Sequence, residues 1–222
     1  MFAPNTRICV TTTPLDPVTA FSMCNTAQIS QNTTVLDPFC GSCSTLLAAT
    51  YLAGIGLKDQ KDNNCQTVGI ELAEEKYVNF DNVRKDFKRR NLKPPAALLR
   101  GDCRDFEKRK QARDAIGGQS FDVIVADPPY GIREAMELAE GDFPPLDELV
   151  ENMAKDLELG VPLLKSGGRM VVFVPVMEGE DLWSKLPDQD LLEKAGLKIA
   201  DAKEQFLNSI LSRWMVVFTC KY

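Results

Sequence analysis

Asp127-Pro128-Pro129-Tyr130-Gly131 sets an acid, two prolyl carbonyls and an aromatic ring in immediate succession. Adjacent prolines cannot donate backbone hydrogen bonds, so they make a stiff turn whose carbonyls are left to accept. An amine conjugated to a base or an amide is a poor nucleophile, because its lone pair is delocalised. Accepting one of its protons on Asp127 and the other on the Pro128 carbonyl would turn that lone pair toward an incoming sulfonium methyl. Tyr130 would stack on the ring that carries the amine and hold its plane. Asp127, Pro128, Pro129 and Tyr130 are therefore the candidate catalytic residues.

Three further acids stand where short apolar runs end. Thr33-Thr34-Val35-Leu36 leads into Asp37-Pro38-Phe39-Cys40-Gly41-Ser42-Cys43-Ser44 and then into a helical stretch. A glycine in that turn lets the backbone approach a ligand, and the acid beside it suits a cationic amino group. Thr67-Val68-Gly69-Ile70 ends in Glu71-Leu72, a carboxylate placed to receive ribose hydroxyls. Ala97-Leu98-Leu99 is followed by Gly101-Asp102-Cys103, where a side-chain acceptor and a backbone N–H would read an adenine edge. Asp37, Phe39, Gly41, Glu71, Leu72, Asp102 and Cys103, together with Asp127, are the candidate cofactor-binding residues. A lone acid after a strand is an ordinary turn or cap residue. Four in succession point to a shared site.

The elements that must position them alternate between short aliphatic runs and longer amphipathic stretches, the pattern of a parallel sheet covered by helices. Besides those three runs, strands are predicted at Phe121–Ala126 and Arg169–Val174, then around Leu197–Ala200 and Trp214–Thr219. Phe80, Val83 and Phe87 share one helical face, as do Leu146, Leu149, Val150, Met153 and Leu157. Only about a dozen residues join the last two strands, too few for a crossover helix, so the last strand is predicted antiparallel. The expected fold is α/β: a Rossmann-like, seven-stranded sheet with helices on both faces. Ligands of such sheets sit at the carboxyl ends of the strands.

Composition narrows the function. The chain has 222 residues and no histidine, which excludes Ser-His and Cys-His pairs and leaves carboxylates, backbone groups or a cofactor to act. Seven cysteines at irregular spacing fit a reducing compartment. Cys40 and Cys43 form a lone C-x-x-C without the further ligands zinc needs, so no metal site is expected. No apolar run reaches membrane-spanning length and the N-terminus lacks a secretion signal, so a cytoplasmic protein is expected, with room for a nuclear pool. Net charge is −6, yet residues 84–113 hold twelve Lys or Arg against four Asp or Glu, a net +8. That stretch is either a phosphate-contacting surface or two solvated helix faces.

Asp127-Pro128-Pro129-Tyr130-Gly131-Ile132-Arg133-Glu134 resembles the catalytic signature of the tRNA guanine-N2 methyltransferases that modify the guanine at position ten. Thr13-Pro14-Leu15-Asp16, the Asp37–Gly41 loop and Leu211-Ser212-Arg213 resemble the same family, so the similarity covers essentially the whole chain. It implies a single S-adenosylmethionine-dependent methyltransferase domain over residues 1–222, acting on the guanine N2 amine of tRNA. Asp127 and Tyr130 would be catalytic, and Asp37, Gly41, Glu71 and Asp102 would bind the cofactor. It also implies a small zinc-binding activator subunit as partner. Two departures stand out. Cys43 replaces a glycine of the family's loop, so its side chain is expected to crowd the cofactor. Nothing before Thr11 could form the THUMP RNA-binding module that family members carry. Since Asp-Pro-Pro-Tyr is shared with DNA adenine-N6 and protein glutamine methyltransferases, those substrates are the alternatives, and a degenerate fold kept as a binding subunit is the non-enzymatic one.

Overall fold

A computed structural model describes residues 4–11, 14–129, 146–156 and 159–221. The first strand, β1 (Thr34–Asp37), feeds a tight turn into helix α2 (Ser44–Ala53); helix α1 (Pro17–Thr26) precedes it, begun by Pro17 and capped by the Asp16 carboxylate on the Thr19 N–H. Strand β2 (Gln66–Glu71), helix α3 (Phe80–Arg89), strand β3 (Ala97–Arg100), helix α4 (Phe106–Asp114) and strand β4 (Phe121–Ala126) complete the first half. Asn79 and Asp105 cap α3 and α4 by accepting from the Asn82 and Glu107 N–H groups, so each helix starts where the sequence supplies a short polar acceptor. Then come α5 (Leu146–Val150), continued by a π-helical turn, β5 (Leu164–Met177), α6 (Gln189–Lys194), β6 (Leu197–Phe206) and β7 (Leu211–Cys220).

These seven strands lie in the order β3-β2-β1-β4-β5-β7-β6. β1 to β5 are parallel, and β7 runs antiparallel to both β5 and β6. The antiparallel last strand is as expected. The last three strands are longer than the sequence pattern suggested, because β6 and β7 form a hairpin paired from Leu197↔Cys220 to Phe206↔Ser212. Much of β6 is exposed, so its outer half carries no apolar alternation from which a strand could be read.

Successive strand residues alternate between two cores. Leu36, Ile124, Ala126, Met170, Val172 and Phe218 face α4, α5 and α6. Val35, Val123, Val125, Val171, Phe173 and Val217 face α1, α2 and α3. Val83 and Phe87, and Leu149, Val150 and Met153, are buried as their spacing predicted; Leu157 lies outside the described residues. The period of two also sorts the functional side chains. Asp37 shares its face with Val35, and Asp127 with Val125, so both acids leave the sheet on the α1–α2 side.

Candidate functional site

β1 and β4 are neighbours, while the connections from β1 and β4 lead to opposite sides of the sheet, and this switch point gathers the site. Asp37 ends β1 almost fully buried at 2% exposure. Its carboxylate accepts the Thr45 hydroxyl at the start of α2 and, at 3.0 Å, the Phe39 N–H. Burial pushes its carboxyl up to about 7; the bonds from Thr45 and Phe39 oppose the rise, and the Asp127 and Glu71 carboxylates add to it.

The turn from Cys40 to Cys43 is fastened at each end. Cys40 donates its N–H to Ile70 O (3.0 Å), Cys43 to Cys40 O (2.6 Å), and Gly41 to Glu71 Oε2 (2.6 Å). Gly41 has φ +48°, and a Cβ built on it would meet no atom within 4 Å, so the space above the loop is open. Cys43 also takes a left-handed backbone, φ 63°, where glycine would be unstrained. Its side chain, however, is wholly buried in the core cluster that includes Cys40 and Leu46, with Sγ 3.8 Å from Gly41 O. The αL backbone that the missing glycine would have supplied is kept, and the burial of the thiol weighs against the expected crowding of a cofactor. Sequence reasoning also missed Arg7, whose guanidinium donates to Ser42 O, to Ser44 Oγ (3.3 Å) and to Asp86 Oδ2 (3.2 Å). Asp86 in turn accepts the Ile8 and Cys9 N–H groups at 2.9 Å each. The N-terminal segment is strapped over α3 and braces the Gly41 loop. No local pattern announces a contact between residues 79 apart.

Glu71 does stand at the end of β2, but both its oxygens already serve the backbone. Oε2 takes Gly41 N–H and Oε1 takes Ala73 N–H at 2.8 Å, so the carboxylate shapes the loop as well as facing the site. A carboxylate oxygen retains a further lone pair, so this does not bar it from a ribose hydroxyl. Leu72 beside it is exposed, and Phe39 is half-buried. Asp102, after β3, is clasped by Arg104: Nη2 reaches Oδ2 at 2.6 Å and the Arg104 N–H reaches Oδ1 at 2.8 Å. Burial pushes its carboxyl up, and the Arg104 bonds more than offset this, holding it below the usual range. Cys103 is buried, its thiol pushed up to about 12 by burial.

Asp127, Pro128 and Pro129 follow β4, each half-buried. Tyr130 and the Gly131–Glu134 stretch lie outside the described residues. The Asp127 carboxylate has Arg213 Nη1 3.5 Å from Oδ2. Arg213 stacks over the Phe173 ring, 4.1 Å from its centroid, and donates Nε to Gln205 Oε1 at 2.8 Å. Neither Arg213 nor Gln205 was assigned a role from the sequence; the signal for Arg213 was its place in Leu211-Ser212-Arg213, which carries part of the family resemblance.

The basic stretch divides. Arg90 and Arg109 are buried in ion pairs with Asp86 (2.7 Å) and Asp156 (2.5 Å), so neither is a surface charge. Arg84, Lys85, Lys88, Arg89 and Lys110 are exposed on α3 and α4.

A β3-β2-β1-β4-β5-β7-β6 sheet with β7 reversed, and acids grouped at the carboxyl ends of β1, β2 and β4, defines the class of Rossmann-like, S-adenosylmethionine-dependent methyltransferases. Within it, the chain belongs to the family described as UPF0020: RMKL-like, methyltransferase domain, which it matches over residues 4–160. It is similar to human tRNA (guanine(10)-N(2))-methyltransferase TRMT11, 27% identical over 230 residues covering 92% of this chain and 46% of the relative. The chain thus spans about half the length of the curated relatives it matches. TrmN from Thermus thermophilus superposes with a TM-score of 0.57 at 22% identity, over 92% of this chain and 49% of that one. M. jannaschii TYW2, solved in complex with AdoMet, gives 0.53 at 16% identity, over 94% and 78%. These two likenesses concern the fold.

The residues present fit S-adenosylmethionine. Burial is the main cause of the raised Asp37 carboxyl, and the Glu71 and Asp127 charges add a part that a bound cation would relieve. The space over Gly41 is open, and the loop beneath is tied down on both sides. Asp37 and Glu71 stand at the carboxyl ends of β1 and β2, and Asp102 and Cys103 follow β3.

Proposed function

We propose that the chain methylates the exocyclic N2 amine of a guanine in tRNA, using S-adenosylmethionine held over the Asp37–Gly41 loop. The observation that carries this reading is the position of Asp127. It leaves the end of β4 on the same face as Asp37 and next to it at the switch point, with Pro128-Pro129 immediately after. The cofactor supplies an electrophilic methyl on sulfur. Asp127 accepts one N–H of the acceptor amine, and the Pro128 carbonyl accepts the other. Held in this way, the nitrogen presents its lone pair along one direction, and orientation of this kind accounts for several kcal/mol of a barrier. Tyr130 stacks on the guanine. Membership of a methyltransferase-domain family and similarity to the human tRNA enzyme support the reaction and the substrate. The burial of the Cys43 side chain supports this reading over that of a degenerate fold kept as a binding subunit.

The target guanine must leave its stack to reach Asp127, so an unpaired guanine is the better substrate. Exposed Arg84, Lys85, Lys88, Arg89 and Lys110 supply part of the phosphate contact, on a chain that is acidic overall. A small zinc-binding activator subunit is the proposed partner. β3 and β6 are the sheet's edges, each paired on one side only among the described residues, and such edges invite cover. Seven free, buried cysteines support a cytoplasmic location.

The test is transfer of a tritiated methyl group from S-adenosylmethionine to unmodified tRNA, followed by digestion to nucleosides. Label in N2-methylguanosine is expected. Label confined to DNA adenine or to glutamine peptides would transfer the assignment to those substrates, and transfer to none of them would overturn it.

A further inference from the structure

We propose that Arg213 is a positioning residue for Asp127, holding the carboxylate in the orientation that amine methylation requires; this rests on the proposed function above. Asp127 stands near enough to Asp37 for its charge to be felt there, and like-charge repulsion between the two tends to swing the Asp127 carboxylate away from the site. Arg213 supplies the counter-charge from the opposite side. It comes from β7, the antiparallel strand beyond β5, and its guanidinium reaches back over Phe173 to stand 3.5 Å from Asp127 Oδ2.

The guanidinium is itself fixed on two sides besides Asp127. The Phe173 ring lies against its face at 4.1 Å, and Gln205 Oε1, its cross-strand partner on β6, takes the Nε–H at 2.8 Å. Gln205 is in turn 3.5 Å from the Thr19 hydroxyl on α1. Arg213 is only 8% exposed, so its charge acts through a medium that screens weakly. At 3.5 Å the pair is looser than the 2.5–2.7 Å ion pairs of Asp86, Asp102 and Asp156, and a carboxylate oxygen carries more than one lone pair with which to accept. Arginine is suited to this by its flat, stackable fork; lysine keeps the charge and loses the plane.

The test compares Arg213→Ala and Arg213→Lys in the full-length protein, with single-turnover methylation of tRNA, dissociation constants for S-adenosylmethionine and tRNA, and a crystal structure of the alanine variant. Arg213→Ala is expected to lose about 10²-fold in the transfer rate, as small misplacements of catalytic groups do, with both dissociation constants within about threefold. Arg213→Lys is expected to recover part of the rate, and added guanidinium ion to rescue the alanine variant. The structure of Arg213→Ala is expected to show the Asp127 carboxylate rotated away from Pro128. Gln205→Met, which frees Nε without removing the charge, is expected to give a smaller loss in the same sense and guards against a folding defect in the alanine variant. An alanine variant with the wild-type rate, or with Asp127 unmoved, overturns the proposal. If the wild type leaves tRNA unmethylated, the proposed function fails, and the position of Asp127 in the crystal still decides the role of Arg213.

Discussion

Arg109 Nε stands 2.5 Å from Asp156 Oδ2 with both side chains fully buried, and the same guanidinium donates to the Cys103 and Arg104 carbonyls. A residue that the charge pattern offered as a phosphate contact is therefore a clasp, holding the turn after β3 to the segment that follows the π-helical turn. Removing one partner of a buried pair leaves the other charge uncompensated. Arg109→Ala is expected to destabilise by about 3–5 kcal/mol, measured by urea unfolding, while Lys88→Ala should stay within about 0.5 kcal/mol.

Replacing exposed Lys85, Lys88, Arg89 and Lys110 with alanine together tests the surface role without disturbing the core. The plot of log affinity for tRNA against log salt is expected to flatten by roughly 0.7–0.9 for each phosphate that is no longer neutralised, with S-adenosylmethionine binding unchanged. An unchanged slope would make these residues a solvated face.

Asp37 gives a pH dependence whose sign follows from its environment. Its folded value, about 7, lies above the 3.8 of the unfolded chain, so its contribution to stability is fully present below pH 3.8 and is lost as pH rises through 7. Unfolding at pH 5 and pH 8 is expected to show that loss in the wild type and to lack it in Asp37→Asn. A bound sulfonium favours the ionised carboxyl, so binding at pH 6 should release a proton, seen in calorimetry as an enthalpy that varies with the buffer.

Cys43→Gly sets two effects against each other. Glycine removes the cost of a left-handed residue, about 1–2 kcal/mol, and gives up the burial of the thiol, so net stability should change by about 1 kcal/mol or less. Affinity for S-adenosylmethionine is expected within about twofold of wild type, because the side chain is buried in the core. A tighter complex would show that the thiol crowds the cofactor.

The sheet was legible in the sequence because its central strands are buried on both faces and read as unbroken aliphatic runs. Asp37, Glu71 and Asp127 were legible because each ends such a run, and ligands of these sheets collect there. What the chain places on a single acid was less so. The bond from the Gly41 N–H to Glu71 joins the ends of two strands and that from Arg104 to Asp102 closes a local turn, and no periodicity encodes either. Arg213 and Arg7 reach the site from distant parts of the chain, and their role follows only from strand order and packing. Charge counting misread Arg90 and Arg109 for the same reason: a sequence displays a charge without displaying its partner.

The most direct test of the account is single-turnover methyl transfer to tRNA by Asp127→Ala and Asp127→Asn, with S-adenosylmethionine affinity measured on the same proteins. Losing a hydrogen bond realised in the transition state commonly costs about 10²–10³ in rate. A fall of at least that size is expected in both variants, with cofactor affinity within a few-fold of wild type. Transfer at near wild-type rate, or a loss explained by failure to bind S-adenosylmethionine, would contradict it.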